Sequence, residues 1–416
     1  MIIASVHQNS GGYELFGIPI EFILFALTLL CVALFHNHTL KVALSGLLAI
    51  LIYKEAVTDF SIVEHVLGSP EHEGEWHILL NLFGLLTGFT ILADHFKKSG
   101  IPKKLPNILP ENWKGGFILL VLIAIISSFL DNIAAAMIGG AVAHVVFKGK
   151  VHIGYIAAIV AASNAGGAGS VVGDTTTTMM WIDGVSAFDV IHAFIAAAIA
   201  ILIFGIIAAF QQHKYQPIVK EAHQVVVIDY PKLFVVIMIL AGAILTNIFL
   251  DFPAAGVWVA ILLGAIIRPV PWKVLPGAIQ GSIFLLALVM CASMMPVDQL
   301  PAASWQTAFV LGFVSAVFDN IPLTKLALEQ GGYDWGVLAY AVGFGGSMIW
   351  FGSSAGVAIS NIYPEAKSVV NWVKNGWHII IAYVIGFFVL LGTLGWHPHL
   401  PHKKIHSTPV ETVSPQ

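Results

Sequence analysis

The sequence predicts an all-α polytopic membrane protein, with about ten transmembrane helices plus two re-entrant hairpins in an inverted 5+5 repeat that carries two broken helices. Three observations predict it: apolar runs of membrane length, basic residues that segregate to one side, and an aspartate–glycine pattern that occurs twice. The chain of 416 residues is 58% hydrophobic and only 10% charged, against about 25% charged in soluble domains. A water-soluble fold of this size cannot hide so much apolar surface, whereas a bilayer removes the need. The formal net charge of −4 offers no electrostatic footprint for nucleic acid. Cys31 and Cys291 both lie within apolar runs and read as small core residues, not as a disulfide or metal site. No basic region precedes the first apolar run, which therefore reads as a span and not as a cleavable signal.

Taken in order, hydropathy places spans near residues 18–35, 40–57, 78–96, 153–182, 190–210, 233–250, 254–267, 274–296, 335–362 and 376–396. Two further apolar segments do not fit a single crossing. Residues 115–147 are too many for one helix and fall short of the ~40 that two full crossings require; 304–328 is equally awkward. Basic residues decide between the topologies. Lys41, Lys97, Lys98, Lys103, Lys104, Lys114, Lys148, Lys150, Lys214, Lys220, Lys232, Arg268, Lys273, Lys367 and Lys374 all fall on one side if both awkward segments are hairpins. By the positive-inside rule that side is cytoplasmic, so hairpin 115–147 enters from inside, hairpin 304–328 from outside, and both termini lie outside. The expected location is a bacterial inner (plasma) membrane.

An internal repeat supports the same topology. Ser127-x3-Asp131-Asn132-Ile133 matches Ser315-x3-Asp319-Asn320-Ile321, and Gly166-Gly167-x5-Gly173-Asp174 matches Gly345-Gly346-x5-Gly352-Ser353. Residues 1–212 form the first repeat and 233–396 the second, joined by a polar cytoplasmic linker, 213–232, and followed by a polar tail, 397–416. Inverted repeats with interrupted helices are an architecture of secondary transporters, whose sites form where the breaks meet.

Asp131, Asp174 and Asp319 sit inside apolar segments, where a charge costs at least ~2.5–3.5 kcal/mol. Such residues persist when paired, hydrated or bound to an ion. A bland role, capping a broken helix end, is also open to each. Glycine breaks expose backbone carbonyls that suit cations, and Thr175 and Thr176 add hydroxyls. Asn132, Asn164, Asn320, Ser347 and Ser353 supply further polar atoms. Oxygen-rich ligation fits a hard cation, so Asp131, Asp174 and Asp319 are candidate Na+ ligands. A carboxylate shielded from water lets protons compete with the metal ion, so one side chain can exchange Na+ for H+. Lys325, six residues after Asp319, is expected to snorkel to the outer surface rather than neutralise that carboxylate. The run from Glu71 to His77 reads as a solvated outer loop, and Trp76, Trp113, Trp181, Trp372 and Trp377 as interfacial anchors. No resident cofactor is implied. No hydrolase motif, paired metal-binding histidines or phosphate loop points to an enzyme.

On Asp131-Asn132, Asn164-Ala165-Gly166-Gly167, Gly173-Asp174-Thr175-Thr176-Thr177, Asp319-Asn320-Ile321-Pro322 and Gly345-Gly346-Ser347 with Gly352-Ser353, the chain resembles the ion transporter superfamily. Within it, the NhaD-like sodium/proton antiporters and citrate-transporter-like proteins are the nearest in pattern. The resemblance implies a homodimer with a fixed scaffold and two mobile transport domains. It also implies a site built from Asp131, Asn132, Asn164, Asp174, Thr175, Thr176, Asp319, Asn320, Ser347 and Ser353. Dicarboxylate carriers of the superfamily usually carry Ser-Asn-Thr at the hairpin tips, whereas both tips here are Asp-Asn. Fixed negative charge repels a carboxylate substrate, which favours cation/proton antiport over citrate or dicarboxylate transport coupled to a cation or proton.

Overall fold

The structure is a computed structural model that describes residues 8–9, 12–35, 38–69, 72–219 and 226–400. Short antiparallel strands β1 (Gln8–Asn9), β2 (Gly12–Leu15) and β3 (Ile18–Pro19) lead into helices α1 (Ile20–Leu34) and α2 (Thr39–Val57). Helix α3 (Ile62–Leu67) and the pair β4 (Gly68–Ser69) and β5 (His72–Glu73) precede α4 (Trp76–Lys97) and the short α5 (Ile101–Ile108). Then come α6 (Trp113–Ser127), α7 (Asn132–Val146), α8 (Ile153–Gly167), α9 (Thr175–Ile182), α10 (Ala187–Val190) and α11 (Ala193–Tyr215). The remainder contains α12 (Tyr230–Leu250), α13 (Pro253–Gly264), α14 (Leu275–Ser293), α15 (Trp305–Ser315), α16 (Asn320–Gln330), α17 (Trp335–Gly345), α18 (Ser354–Ile362) and α19 (Val369–Leu394).

Each expected apolar run is helical, but the spans are not uniform. Among the described residues, five helical stretches have both the length and the composition to cross a membrane: α4, α10 with α11, α12, α14 with its preceding turn, and α19. Helix α13 has 12 residues, about 18 Å at 1.5 Å per residue, well under the ~30 Å of a hydrocarbon core. Helix α1 is also short, with 15 residues, and α2 carries Lys41, Lys54 and Glu55 within its 19 residues. Segment 115–147 becomes α6 and α7 with a break at 128–131, and 304–328 becomes α15 and α16 with a break at 316–319. The runs 153–182 and 335–362 are broken at their glycines.

Matching positions in the two halves make matching contacts. Ser127 Oγ donates to Ser163 O at 2.6 Å, and Ser315 Oγ donates to Val342 O at 2.7 Å. Gly166 presses on Ala124 O and Gly345 on Gly312 O so closely that a Cβ has no room at either position. These crossings hold each broken helix against the first arm of its neighbouring pair.

Two cores fill the interior. The larger runs through α4, α6–α9, α11 and α17–α19; the smaller joins α1, α2 and α14 through Phe25, Leu29, Ile50, Leu288 and Cys291. Helix α12 leaves Phe234, Ile237, Ile248 and Phe249 more than half exposed, an apolar face suited to lipid.

Several expectations need correction. Lys325 does not snorkel: it is 1% exposed, and its Nζ pairs with Glu75 Oε1 at 2.9 Å and Glu329 Oε1 at 2.6 Å. Nor does it neutralise Asp319, since two carboxylates already hold it. Glu75 is thereby a partly buried structural partner, not part of a solvated loop; Glu71 lies outside the described residues. Trp372 is fully buried, and its Nε1 donates to Ser347 O at 3.1 Å, so it packs inside rather than anchoring at an interface. Trp181 is likewise buried, while Trp76 and Trp377 are exposed. The segment 220–225 of the linker and the tail from 401 onward lie outside the described residues.

Candidate functional site

The site starts from helix breaks. At 128–131 the chain leaves the α6 helix, and Asp131 occupies the N-cap position of α7 without making a side-chain cap bond. Its Oδ1 is buried and has no hydrogen-bond partner among the described residues. Asn132, the first residue of α7, donates from Nδ2 to Asn164 Oδ1 at 3.0 Å and to Asp174 Oδ1 at 3.1 Å. Asn164, fully buried on α8, donates to Ser347 Oγ at 2.9 Å. One hydrogen-bonded chain therefore joins Ser347, Asn164, Asn132 and Asp174, and it spans both halves of the sequence.

Asp174 caps α9. Its Oδ1 accepts from Thr176 N at 3.5 Å and Thr175 Oγ1 at 3.4 Å in addition to Asn132. Among the described residues its Oδ2 is buried and unpartnered, as is the hydroxyl of Thr176. Thr177 and Thr178 point elsewhere: Thr177 donates to Ser170 O at 2.6 Å and Thr178 to Val171 O at 2.8 Å. They satisfy carbonyls freed by the glycine break. Four consecutive threonines thus divide into two that surround the carboxylate and two that hold the backbone.

A cavity of about 440 Å³ opens beside these groups, with Asp131, Asp174 and Thr175 on one wall. The facing wall comes from α4 and α14, where Thr90 and Ser282 are the polar members. Sequence reasoning missed both, because a single hydroxyl on a long apolar helix usually bonds its own backbone, as Thr90 Oγ1 does to Leu86 O at 2.9 Å. Among the described residues, the cavity lining includes no lysine, arginine or histidine.

The second half is built differently. Asp319 caps α16, accepting from Ile321 N at 3.0 Å, and its Oδ2 accepts from Ser354 Oγ at 3.3 Å. It does not line the cavity. The three aspartates do not gather into one three-ligand group; among the described residues no such cluster of His, Cys, Asp or Glu is present. Ser353 is also a cap, accepting from Gly356 N at 3.3 Å. Asn320 is buried with its Nδ2 unpartnered.

Two relatives from Arabidopsis thaliana are sodium/proton antiporter 2, 26% identical with 67% of this chain and 76% of that protein covered, and sodium/proton antiporter 1, 25% identical with 68% and 56% covered. For the second, the match spans little more than half of the relative's length. The citrate transporter family profile matches residues 14–345, most of the chain and every element of the cavity and its hydrogen-bonded chain up to Gly345. An apolar helical chain matched over that length is an integral membrane protein, and it belongs to the citrate transporter family.

Proposed function

We propose that this chain is a secondary antiporter that exchanges a monovalent cation, Na+ foremost, for protons, with Asp131 and Asp174 as the exchanging carboxylates. One observation carries the reading: the cavity presents two carboxylates, each with a buried oxygen that has no partner, and no cationic side chain. A buried carboxylate oxygen without a partner costs several kcal/mol as an ion. Either a proton or a metal cation removes that cost, and one displaces the other. A carboxylate substrate would meet only like charge. Lys325 does not alter this balance, because it is occupied by Glu75 and Glu329. The names of the two relatives agree with the reading.

In the same reading, α6–α7 and α15–α16 are re-entrant hairpins entering from opposite sides, and the two halves are inverted repeats. The matching Ser127 and Ser315 contacts support that equivalence. Both termini face outward across a plasma membrane, and two copies pair as a homodimer. Asp319, Asn320, Ser347 and Ser353 form the supporting half of the site.

Reconstituted protein with a pH-sensitive dye inside the vesicles tests the function. Asp174→Asn is expected to abolish Na+-driven dequenching, and Asp131→Asn to reduce it strongly, both with normal insertion. Undiminished exchange in both would end the proposal. The family description favours a second reading, transport of citrate or a dicarboxylate coupled to a cation or proton. Labelled-citrate uptake that requires an imposed cation gradient would select it.

A further inference from the structure

We infer that Gly343 opens a buried coordination position for the transported cation beside Asp174, and that the missing side chain there determines which ion fits. The inference rests on Asp174 being an exchanging carboxylate.

The two halves show what is missing. Gly343-Phe344-Gly345-Gly346 stands where the first half has Asn164-Ala165-Gly166-Gly167, and Ala168 stands where the second half has Ser347. Asn164 and Ser347 face one another and share a 2.9 Å hydrogen bond. At the corresponding place Gly343 faces Ala168, so the amide and the hydroxyl are both absent. A Cβ placed on Gly343 would lie 3.1 Å from Asp174 Oδ2 and 3.9 Å from the Ala168 methyl. Beyond its own stretch of helix, no other heavy atom among the described residues comes within 4 Å of that point. Most other buried glycines of the chain press on backbone or side chains well inside that distance. Gly343 is buried, and the nearest atom to its missing side chain is Asp174 Oδ2.

Buried polar atoms of the same site lack partners among the described residues. Asp174 is 1% exposed, and the oxygen it turns toward Gly343 is its free one. Thr176 Oγ1, two residues on, is fully buried and free. Asn320 corresponds to Asn132, whose amide is satisfied by Asn164 and Asp174; the Asn320 Nδ2 has no partner, and a glycine at 343 supplies none. Turned by half a rotation, the Asn320 carboxamide presents its oxygen instead. A carboxylate oxygen, with a hydroxyl and an amide oxygen from the same site, suits a small, hard, largely dehydrated monovalent cation.

The test uses full-length protein in proteoliposomes, with Na+ and Li+ dependence of dye dequenching measured for wild type, Gly343→Ala, Ala168→Ser and Asp174→Asn. Alanine is the better helix former, so Gly343→Ala is not expected to unfold α17. Its methyl group shrinks the space by one carbon, and the KM for Na+ should rise about tenfold or more. The smaller Li+ should be affected less, shifting preference toward Li+. Ala168→Ser adds a hydroxyl across the space and should lower the KM for Na+, a change that 22Na+ binding in detergent checks without turnover. Loss of exchange in Asp174→Asn with unchanged KM and ion preference in both other variants overturns this inference and leaves the antiport reading intact. An equal loss of Na+ and Li+ exchange in folded Gly343→Ala also overturns it. Retained exchange in Asp174→Asn overturns the antiport reading itself.

Discussion

Asn164 does three jobs with one side chain. It accepts from Asn132, donates to Ser347 and so ties the break beside Asp174 to the other half. Truncation to alanine strands two buried polar groups, each costing about 1–3 kcal/mol. Asn164→Ala should therefore lower the exchange rate by about tenfold or more and lower the thermal midpoint of the purified protein; a scan of both against wild type checks this. Aspartates inside apolar runs are legible without a structure, because their placement is costly and needs a reason. Lys325 was not legible. Whether a lysine snorkels or is buried depends on carboxylates brought from elsewhere in the chain, and Glu75 lies 250 residues away. Trp372 misled for a similar cause: an indole near a helix end looks the same in sequence whether it faces lipid or Ser347 O.

Among elements, the paired breaks depend on backbone contact. Gly166 on Ala124 O and Gly345 on Gly312 O leave no space for a methyl group, and overpacking of this kind costs about 1–3 kcal/mol. Gly166→Ala and Gly345→Ala should each lower thermal stability and yield of folded protein by similar amounts, whereas Gly277→Ala, where nothing lies within 4 Å, should not. The positions of the breaks follow from the repeated glycines, and the short α13 from an apolar run of only 254–267. It starts just after a turn at Asp251, in left-handed conformation, and its Gly256 packs closely on Gly242 O. At the start of α12, Asp229 is held down to about 2 by a hydrogen bond from the Arg268 guanidinium, helped by Lys232. A carboxylate lowered on folding stabilises above its unfolded value near ~4 and loses that contribution as pH falls through about 2. The stability difference between wild type and Asp229→Asn should thus stay flat from about pH 5 to 8 and close only in strong acid. Thermal melts across that range would show it.

At the scale of the whole molecule, the cavity and the ion pair occupy opposite ends of α4. Asp131 and Asp174 face Leu85, Phe89 and Ala93 toward its C-terminal half, while Glu75 sits just before its first residue and grips Lys325 on α16. Should alternating access slide α15 and α16 along α4, that grip has to let go once in every cycle. Parting the buried Lys325 ammonium from one of its two carboxylates costs enthalpy. The turnover of this protein should accordingly climb steeply on warming, with an Arrhenius slope that Glu75→Gln flattens. An unchanged slope would mean that α16 and the head of α4 travel together.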